Sequence, residues 1–195
     1  MSVISVQQPE PKYHNMPMTS AQYFDLEDDG FRYELIKGRM KLVPSPLTRH
    51  QRILGELFVE LRLFLRAHPI GEVYVAPLDV VLSPSDVYQP DLIFVRRENR
   101  HIITERRIEG APDLVVEVLS QRTRDNDFGV KFENYAQFGV QEYWIVNPES
   151  SEHHFFVEKD RRFDAVSPES DRYTSSVIRG FVLDLAWLNR IREEG

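Results

Sequence analysis

The chain has 195 residues, with 42% hydrophobic and 28% charged side chains, enough for one domain with a substantial buried core. It contains no cysteine, which excludes disulfides, thiolate zinc sites and cysteine nucleophiles, and it has no apolar run near the roughly 20 residues that span a bilayer. With 24 basic against 31 acidic residues the net charge is −7. That argues against a protein that coats nucleic acid by bulk electrostatics, but not against an enzyme that grips a few phosphates locally.

Residues 1 to 17 carry Pro9, Pro11 and Pro17 without periodic patterning, so a mobile N-terminal tail is expected, followed by a single domain over 18–190. The N-terminus lacks the basic start and apolar core of a signal peptide; together with the missing cysteines this reads as cytoplasmic. Thr19-Ser-Ala-Gln22 is a capping box opening a short helix through Leu26. Phe31 to Lys37 and Met40 to Val43 form a hairpin about Lys37-Gly38. From His50 to Ala67 the residues Ile53, Leu54, Leu57, Phe58, Leu61, Phe64 and Leu65 recur at helical spacing, and Pro69 and Gly71 end the helix.

Glu72 to Leu82, Leu92 to Val95, Leu114 to Leu119 and Glu142 to Val146 are apolar on both faces, as in the covered centre of a sheet. Asp125-Asn-Asp127 offers N-caps for a helix running to about Phe138, with Gly139 as its stop. His153 to Glu158, Phe163 to Val166, Tyr173 to Ile178 and Phe181 to Leu188 should be peripheral antiparallel strands. The class is α/β or α+β, with a mixed central sheet flanked by two or three helices.

Two acids break this pattern. Pro90-Asp91 closes one apolar run, and Glu117 sits inside a second, where an unpaired carboxylate would pay a large desolvation cost. On neighbouring strands, with Lys131 brought over them from the following helix, they would form an oxygen-rich pocket suited to a hard divalent cation. Lys131 lies one turn before Tyr135, so the two share a helix face. Glu34 is in phase with Ile36 on an inward face, as a further metal ligand, a supporting group or a hairpin salt bridge. Asp79 also interrupts an apolar stretch and reads as structural. His50 opens the long helix as a phosphate contact or a cap, and Arg122 and Arg124 follow Glu117 as phosphate contacts or solvated side chains.

Arg96, Arg97, Arg100, Arg106 and Arg107 crowd together with His101, either as a solvated loop or as a phosphate-contacting rim. His153 and His154 read as surface groups, and Tyr135, Tyr143 and Trp144 as core aromatics rather than base-stacking platforms. Neither a P-loop, nor a dinucleotide-binding glycine turn, nor a Gly-x-Ser-x-Gly elbow occurs.

The order Pro90-Asp91, Glu117-Val-Leu119 and then Lys131 resembles the PD-(D/E)XK nuclease superfamily, the restriction-endonuclease-like fold. One position departs: Leu119 stands where that pattern has its lysine. The resemblance is closer to a cyanobacteria-rich branch of restriction-endonuclease-like proteins in which the lysine has moved to the following helix. Tyr33-Glu-Leu-Ile36, Pro44-Ser-Pro46 with His50, Gln89-Pro-Asp91, Pro112 to Ser120, Lys131 with Tyr135, and Gly139 to Trp144 match it in order across roughly residues 18 to 188. This implies Mg²⁺ or Mn²⁺ held by Asp91, Glu117 and the Val118 carbonyl, with Lys131 acting on the attacking water and Glu34 supporting. It implies DNA as substrate, and a homodimer, since many nucleases of the superfamily pair to cut two strands. The displaced lysine leaves an alternative standing: a catalytically inactive module of the same fold that binds DNA or a protein partner.

Overall fold

The computed structural model describes residues 10–193. Helix α1 (Ser20–Phe24) starts as its sequence dictates: Thr19 caps the backbone of Gln22, and the Gln22 side chain returns to the Thr19 N–H. Strands β1 (Tyr33–Ile36) and β2 (Arg39–Leu42) form the expected hairpin. Lys37 and Gly38 both take positive φ, 49° and 71°, the geometry of a two-residue turn that matches strand twist. Residues before Thr19 are tied to this hairpin: the Asn15 N–H donates to the Met40 carbonyl at 2.8 Å and the Met18 N–H to Gly38 at 2.9 Å. The mobile tail expected up to residue 17 therefore does not extend over these positions, and its first nine residues lie outside those described.

Helix α2 runs from Thr48 to Ala67 and buries Ile53, Leu54, Leu57, Leu61 and Leu65, the apolar face its periodicity foretells. Each such side chain contributes roughly 1.5–3 kcal/mol on leaving water. The single strand expected over Glu72 to Leu82 is instead two, β3 (Gly71–Val75) and β4 (Val80–Ser83), divided at Pro77 and placed in different sheets. Proline supplies no N–H to a ladder, so a strand cannot continue through it. Strand β5 (Asp86–Tyr88) turns back on β4; the two-sided apolar pattern hid this tight hairpin. Then follow β6 (Leu92–Arg96), a 3-10 helix (Arg97–Ile102), the short β7 (Ile108–Glu109) and β8 (Leu114–Val118).

The helix expected from Asp125 to Phe138 is broken into α3 (Arg124–Asp127) and α4 (Val130–Phe138). The break falls at Gly129, where any Cβ would meet the Asp125 carbonyl oxygen at 2.5 Å. Strands β9 (Glu142–Val146), β10 (His154–Lys159), β11 (Arg162–Val166), β12 (Arg172–Thr174) and β13 (Val182–Asp184) complete the sheets. The last apolar run, expected as strand to Leu188, turns helical at α5 (Leu185–Glu193), which buries Leu185 and Leu188 at an interval of three. Five α-helices are present among the described residues, against the two or three expected.

The central six-stranded sheet has the order β11-β10-β9-β8-β6-β3, mixed because β8 and β9 are parallel while the other pairs are antiparallel. One face packs against α2 and α5 through Leu92, Phe94, Leu114, Val116, Val118 and Trp144. The other face, with Ile93, Val115, Leu119, Tyr143 and Ile145, lies under Tyr135 of α4 and meets Ile36, Val80 and Tyr88 of a five-stranded sheet ordered β2-β1-β5-β4-β7. The structure is thus the expected mixed sheet with helices on both faces, with β10 to β13 as peripheral antiparallel strands.

Candidate active site

Leu92 pairs with Val116, so Asp91 stands at the head of β6 one position beyond, opposite Glu117 near the end of β8. The two are also linked through backbone: the Val118 N–H donates to Asp91 Oδ2 at 2.7 Å. From α2, His50 Nε2 reaches the same oxygen at 3.1 Å. His50 is 8% exposed. Desolvation opposes its charge, but the hydrogen bond and charge of Asp91 outweigh it, with a further pull from the Val118 backbone, and its pKa rises above the ordinary 6.5.

Lys131 descends from α4 onto the other side of the pair. Its Nζ donates to Glu117 Oε1 at 3.0 Å and lies 2.9 Å from Glu34 Oε1 and 3.8 Å from Asp127 Oδ1. Glu34 is held by the Gln89 N–H at 2.8 Å. The Tyr135 hydroxyl donates to Glu117 Oε1 at 3.1 Å, so the shared helix face of Lys131 and Tyr135 is realised on one carboxylate.

Three carboxylates, Glu34, Glu117 and Asp127, thus gather about one ammonium, and Asp91 stands beside Glu117 with His50 upon it. Removal from water raises Glu117 well above its ordinary value, and the charges of Asp127, Asp91 and Glu34 add to this against the opposing pull of Lys131. Burial likewise pushes Asp127 up to about 6. Desolvation alone would discharge Lys131, but Glu117, Glu34 and Asp127 hold it firmly protonated. One lysine does not neutralise the cluster.

Among the described residues the buried side-chain polar atoms with no hydrogen-bond partner are His50 Nδ1, Gln89 Oε1 and Asp127 Oδ1. Two of them, on His50 and Asp127, belong to side chains that face Asp91 and Lys131, whereas the Gln89 amide lies with Tyr23 and Asp79. No three His, Asp or Glu side chains among the described residues already stand together as a metal cage. Asp91 is drawn to His50 and Val118, and Glu117 to Lys131 and Tyr135. Asp91 Oδ1 and Glu117 Oε2 accept no hydrogen bond among the described residues. An all-oxygen, strongly negative set of this kind suits a hard cation such as Mg²⁺, which keeps several waters and needs few protein ligands.

Asp127 was read from sequence as a helix cap, but it accepts from Thr123 Oγ1 at 2.8 Å and faces Lys131. The signal was present in the acid four positions before the lysine. Asp79 lies in a separate polar cluster, accepting from the Tyr23 hydroxyl at 2.9 Å and Gln89 Nε2 at 3.0 Å, the structural role expected. Arg122 and Arg124 are exposed in the segment just past β8, the end of the sheet that carries the acids.

The first arginines of the rich segment do not rim this site. Arg96 closes β6, five residues and thus ~17 Å from Asp91. Arg96 and Arg100 face Asp113 and Glu72 there, whereas Arg107 pairs with Glu109 and lies over the Phe24 ring of α1. Nor is His153 a surface group: its Nδ1 accepts the Asn147 N–H at 3.2 Å and its Nε2 faces Asn189 at 3.3 Å. Tyr135, Tyr143 and Trp144 are fully buried core aromatics, as expected.

Residues 20–186 match the model of the Uma2 family, described as "Putative restriction endonuclease". A crystal structure of a putative nuclease belonging to DUF820 from Anabaena variabilis ATCC 29413 is similar with a TM-score of 0.75. It is 16% identical, and the match covers 90% of this chain and 99% of that one, a likeness of fold. None of the curated proteins matches the chain. No helix among the described residues is long and apolar enough to cross a membrane.

Proposed function

Because the chain belongs to the Uma2 putative restriction endonuclease family, we propose that it is a divalent-metal-dependent endonuclease that hydrolyses phosphodiester bonds in DNA. The observation that carries this reading is the convergence of Glu34, Glu117 and Asp127 on Lys131, with Asp91 beside Glu117 at the same end of the central strands. Asp91, Glu117 and the Val118 carbonyl are the proposed ligands of Mg²⁺ or Mn²⁺, with Glu34 as a further ligand or support. When bound, the ion would supply Lewis-acid stabilisation of charge on the phosphate and make water more acidic. Lys131 keeps its proton and presents it beside Glu117, where it orients the attacking water and offsets developing negative charge. His50 steadies Asp91, and Tyr135 fixes the Glu117 carboxylate.

The test is cleavage of supercoiled, linear and single-stranded DNA by purified protein with Mg²⁺ or Mn²⁺, beside Asp91→Asn and Glu117→Gln. Partners behind metal ligands are worth about 10- to 100-fold, so loss of a ligand itself should cost more than that while the fold persists. Full cleavage by folded Asp91→Asn would place the chemistry elsewhere.

A second reading is a non-catalytic module that binds DNA or a protein partner. It is favoured by Lys131 bridging Glu34 and Glu117 directly, an ammonium already seated among the acids. Under this reading calorimetry finds no Mg²⁺ or Mn²⁺ binding, and every DNA form stays intact.

A further inference from the structure

Beside the acid cluster, on the same edge of the central sheet, lies a basic groove that the catalytic residues do not use. Strands β8 and β9 are parallel and end together: Val118 pairs with Val146, and the Leu119 N–H donates to the Val146 carbonyl at 2.8 Å. The segment that leaves β9 therefore lies one strand spacing, ~4.8 Å, from the segment that leaves β8. A groove of about 410 Å³ opens there, between the start of α2, Pro148-Glu149 and the end of α5. Its lining includes Thr48, Arg49, Arg52, Glu149 and Arg192.

Three features of this groove point to an anion. Arg49, Arg52 and Arg192 converge on one small space, where their charges repel unless something negative lies between them. Two acids do not suffice: Glu149 pairs with Arg49 at 3.3 Å and Glu193 with Arg192 at 2.9 Å, while Arg52 has no ion-pair partner among the described residues. The Arg49–Glu149 pair is exposed, of the kind that contributes little in water and yields readily to a stronger anion, and Glu193 is exposed against a half-buried Arg192. In addition, α2 begins at Leu47 without a side-chain cap, so the first-turn N–H groups and the positive end of a 20-residue helix face this edge.

The same first turn carries His50, whose ring meets Asp91. The groove and the acids are thus joined through adjacent residues, Arg49 and His50. Arg122 and Arg124 are exposed in the segment that leaves β8 and do not line the groove. We propose that the groove holds the phosphodiester backbone of the DNA strand flanking the bond to be cut, with Arg49, Arg52 and Arg192 as its phosphate contacts. This rests on the nuclease reading above and adds the path of the strand, away from the arginine-rich 3-10 helix that its sequence makes conspicuous. Guanidinium groups suit this task because their forked donors match phosphate oxygens.

The experiment is fluorescence anisotropy of full-length protein with a 20-nucleotide DNA, single-stranded and duplex, in EDTA so that no cleavage occurs, across a salt series. The variants are Arg49→Ala/Arg52→Ala/Arg192→Ala, the same three positions changed to lysine, and Arg97→Ala/Arg100→Ala at the far end of β6. Losing three contacts at about 0.7–0.9 each lowers the slope of log K against log salt by about 2 to 3. We expect that change together with at least tenfold weaker binding for the alanine triple, recovery of most of the slope with lysine, and no change for the 97/100 control. All variants are checked for an unaltered melting midpoint, and a lysine triple that folds reports on charge even if the alanine triple does not. Wild-type binding with an unaltered slope in the folded groove variants would overturn the groove and leave the nuclease reading standing. Absence of any DNA binding by the wild type, both in EDTA and with Ca²⁺ in its place, would overturn both.

Discussion

Lys131 Nζ lies 3.0 Å from Glu117 Oε1 across the space between α4 and β8, with both side chains almost wholly buried. The ammonium thus sits over the second acid from a helix rather than from the strand that carries the acid. Breaking such a buried pair from one side leaves the other charge uncompensated, at a cost of about 3–5 kcal/mol. Lys131→Met should therefore lower the melting midpoint on the order of 10 °C for a domain of this size. Adding Glu117→Gln should recover part of that loss, since Glu34 and Asp127 still lack their counter-charge. Calorimetric melting of the three proteins in EDTA checks this; a Lys131→Met protein as stable as wild type would mean that the lysine is not the counter-charge.

Divalent metal should stabilise the folded protein. A ligand at 100 times its dissociation constant adds about 2.7 kcal/mol, which for this size corresponds to a rise of about 5 to 10 °C. Differential scanning fluorimetry with Mg²⁺, Mn²⁺ and EDTA measures it. The rise should vanish in Asp91→Asn and Glu117→Gln, and should persist in Arg97→Ala, whose side chain leaves from the far end of β6.

His50 faces Asp91 from α2 at 3.1 Å, and a partner that orients a ligating carboxylate is worth about 10- to 100-fold in metal affinity. His50→Ala should weaken Mn²⁺ binding by that factor in titration calorimetry. His50→Gln, which can still donate to Asp91, should recover part of it. Equal affinities in all three would limit the histidine to packing.

Glu142 is fully buried without a cationic partner, yet its carboxylate receives Trp144 Nε1, the Tyr173 and Ser175 hydroxyls, the Ser176 hydroxyl and the Val177 N–H, all within 2.9 Å. It ties the segment after β12 to the start of β9, at the sheet end away from the acids. Glu142→Gln turns an amide donor toward either Trp144 Nε1–H or the Val177 N–H, which can only donate, at about 1–3 kcal/mol for a buried group left unsatisfied. Urea unfolding should show that loss, while the dissociation constant for metal should not change.

His153 is depressed below its ordinary 6.5, first by burial and then by Arg192 and His154, with the Asn189 hydrogen bond opposing. The folded state therefore prefers the neutral ring, and the unfolded chain binds more protons just below pH 6.5. Stability from this group is complete above that pH and is lost as pH falls through the folded value. His153→Gln keeps a donor and an acceptor without titrating, so the gap between its melting midpoint and that of wild type should shift in its favour from pH 7 to pH 5. A constant gap would exclude His153 as the source.

The sequence by itself determined the elements whose information is local. The capping box at Thr19, the Lys37-Gly38 turn, the apolar stripe of α2 and the two-sided apolar strands β6, β8 and β9 were all legible, because each rests on neighbours within a few positions. Asp91 and Glu117 stood out for the same reason, since each departs from the apolar pattern around it, whereas Lys131 was marked by the resemblance and by its helix face shared with Tyr135. Only tertiary structure decided that Pro77 divides one apolar stretch between two sheets, that Gly129 breaks the helix, and that Arg96, Arg97 and Arg100 lie at the far end of β6 from the acids. It alone turned Asp127 from a cap toward Lys131, and brought His50, 41 residues distant, onto Asp91. The reason is physical. Periodicity reports which face of an element is buried, but the partner of a buried charge comes from another element, and its identity is set by how the sheets and helices pack.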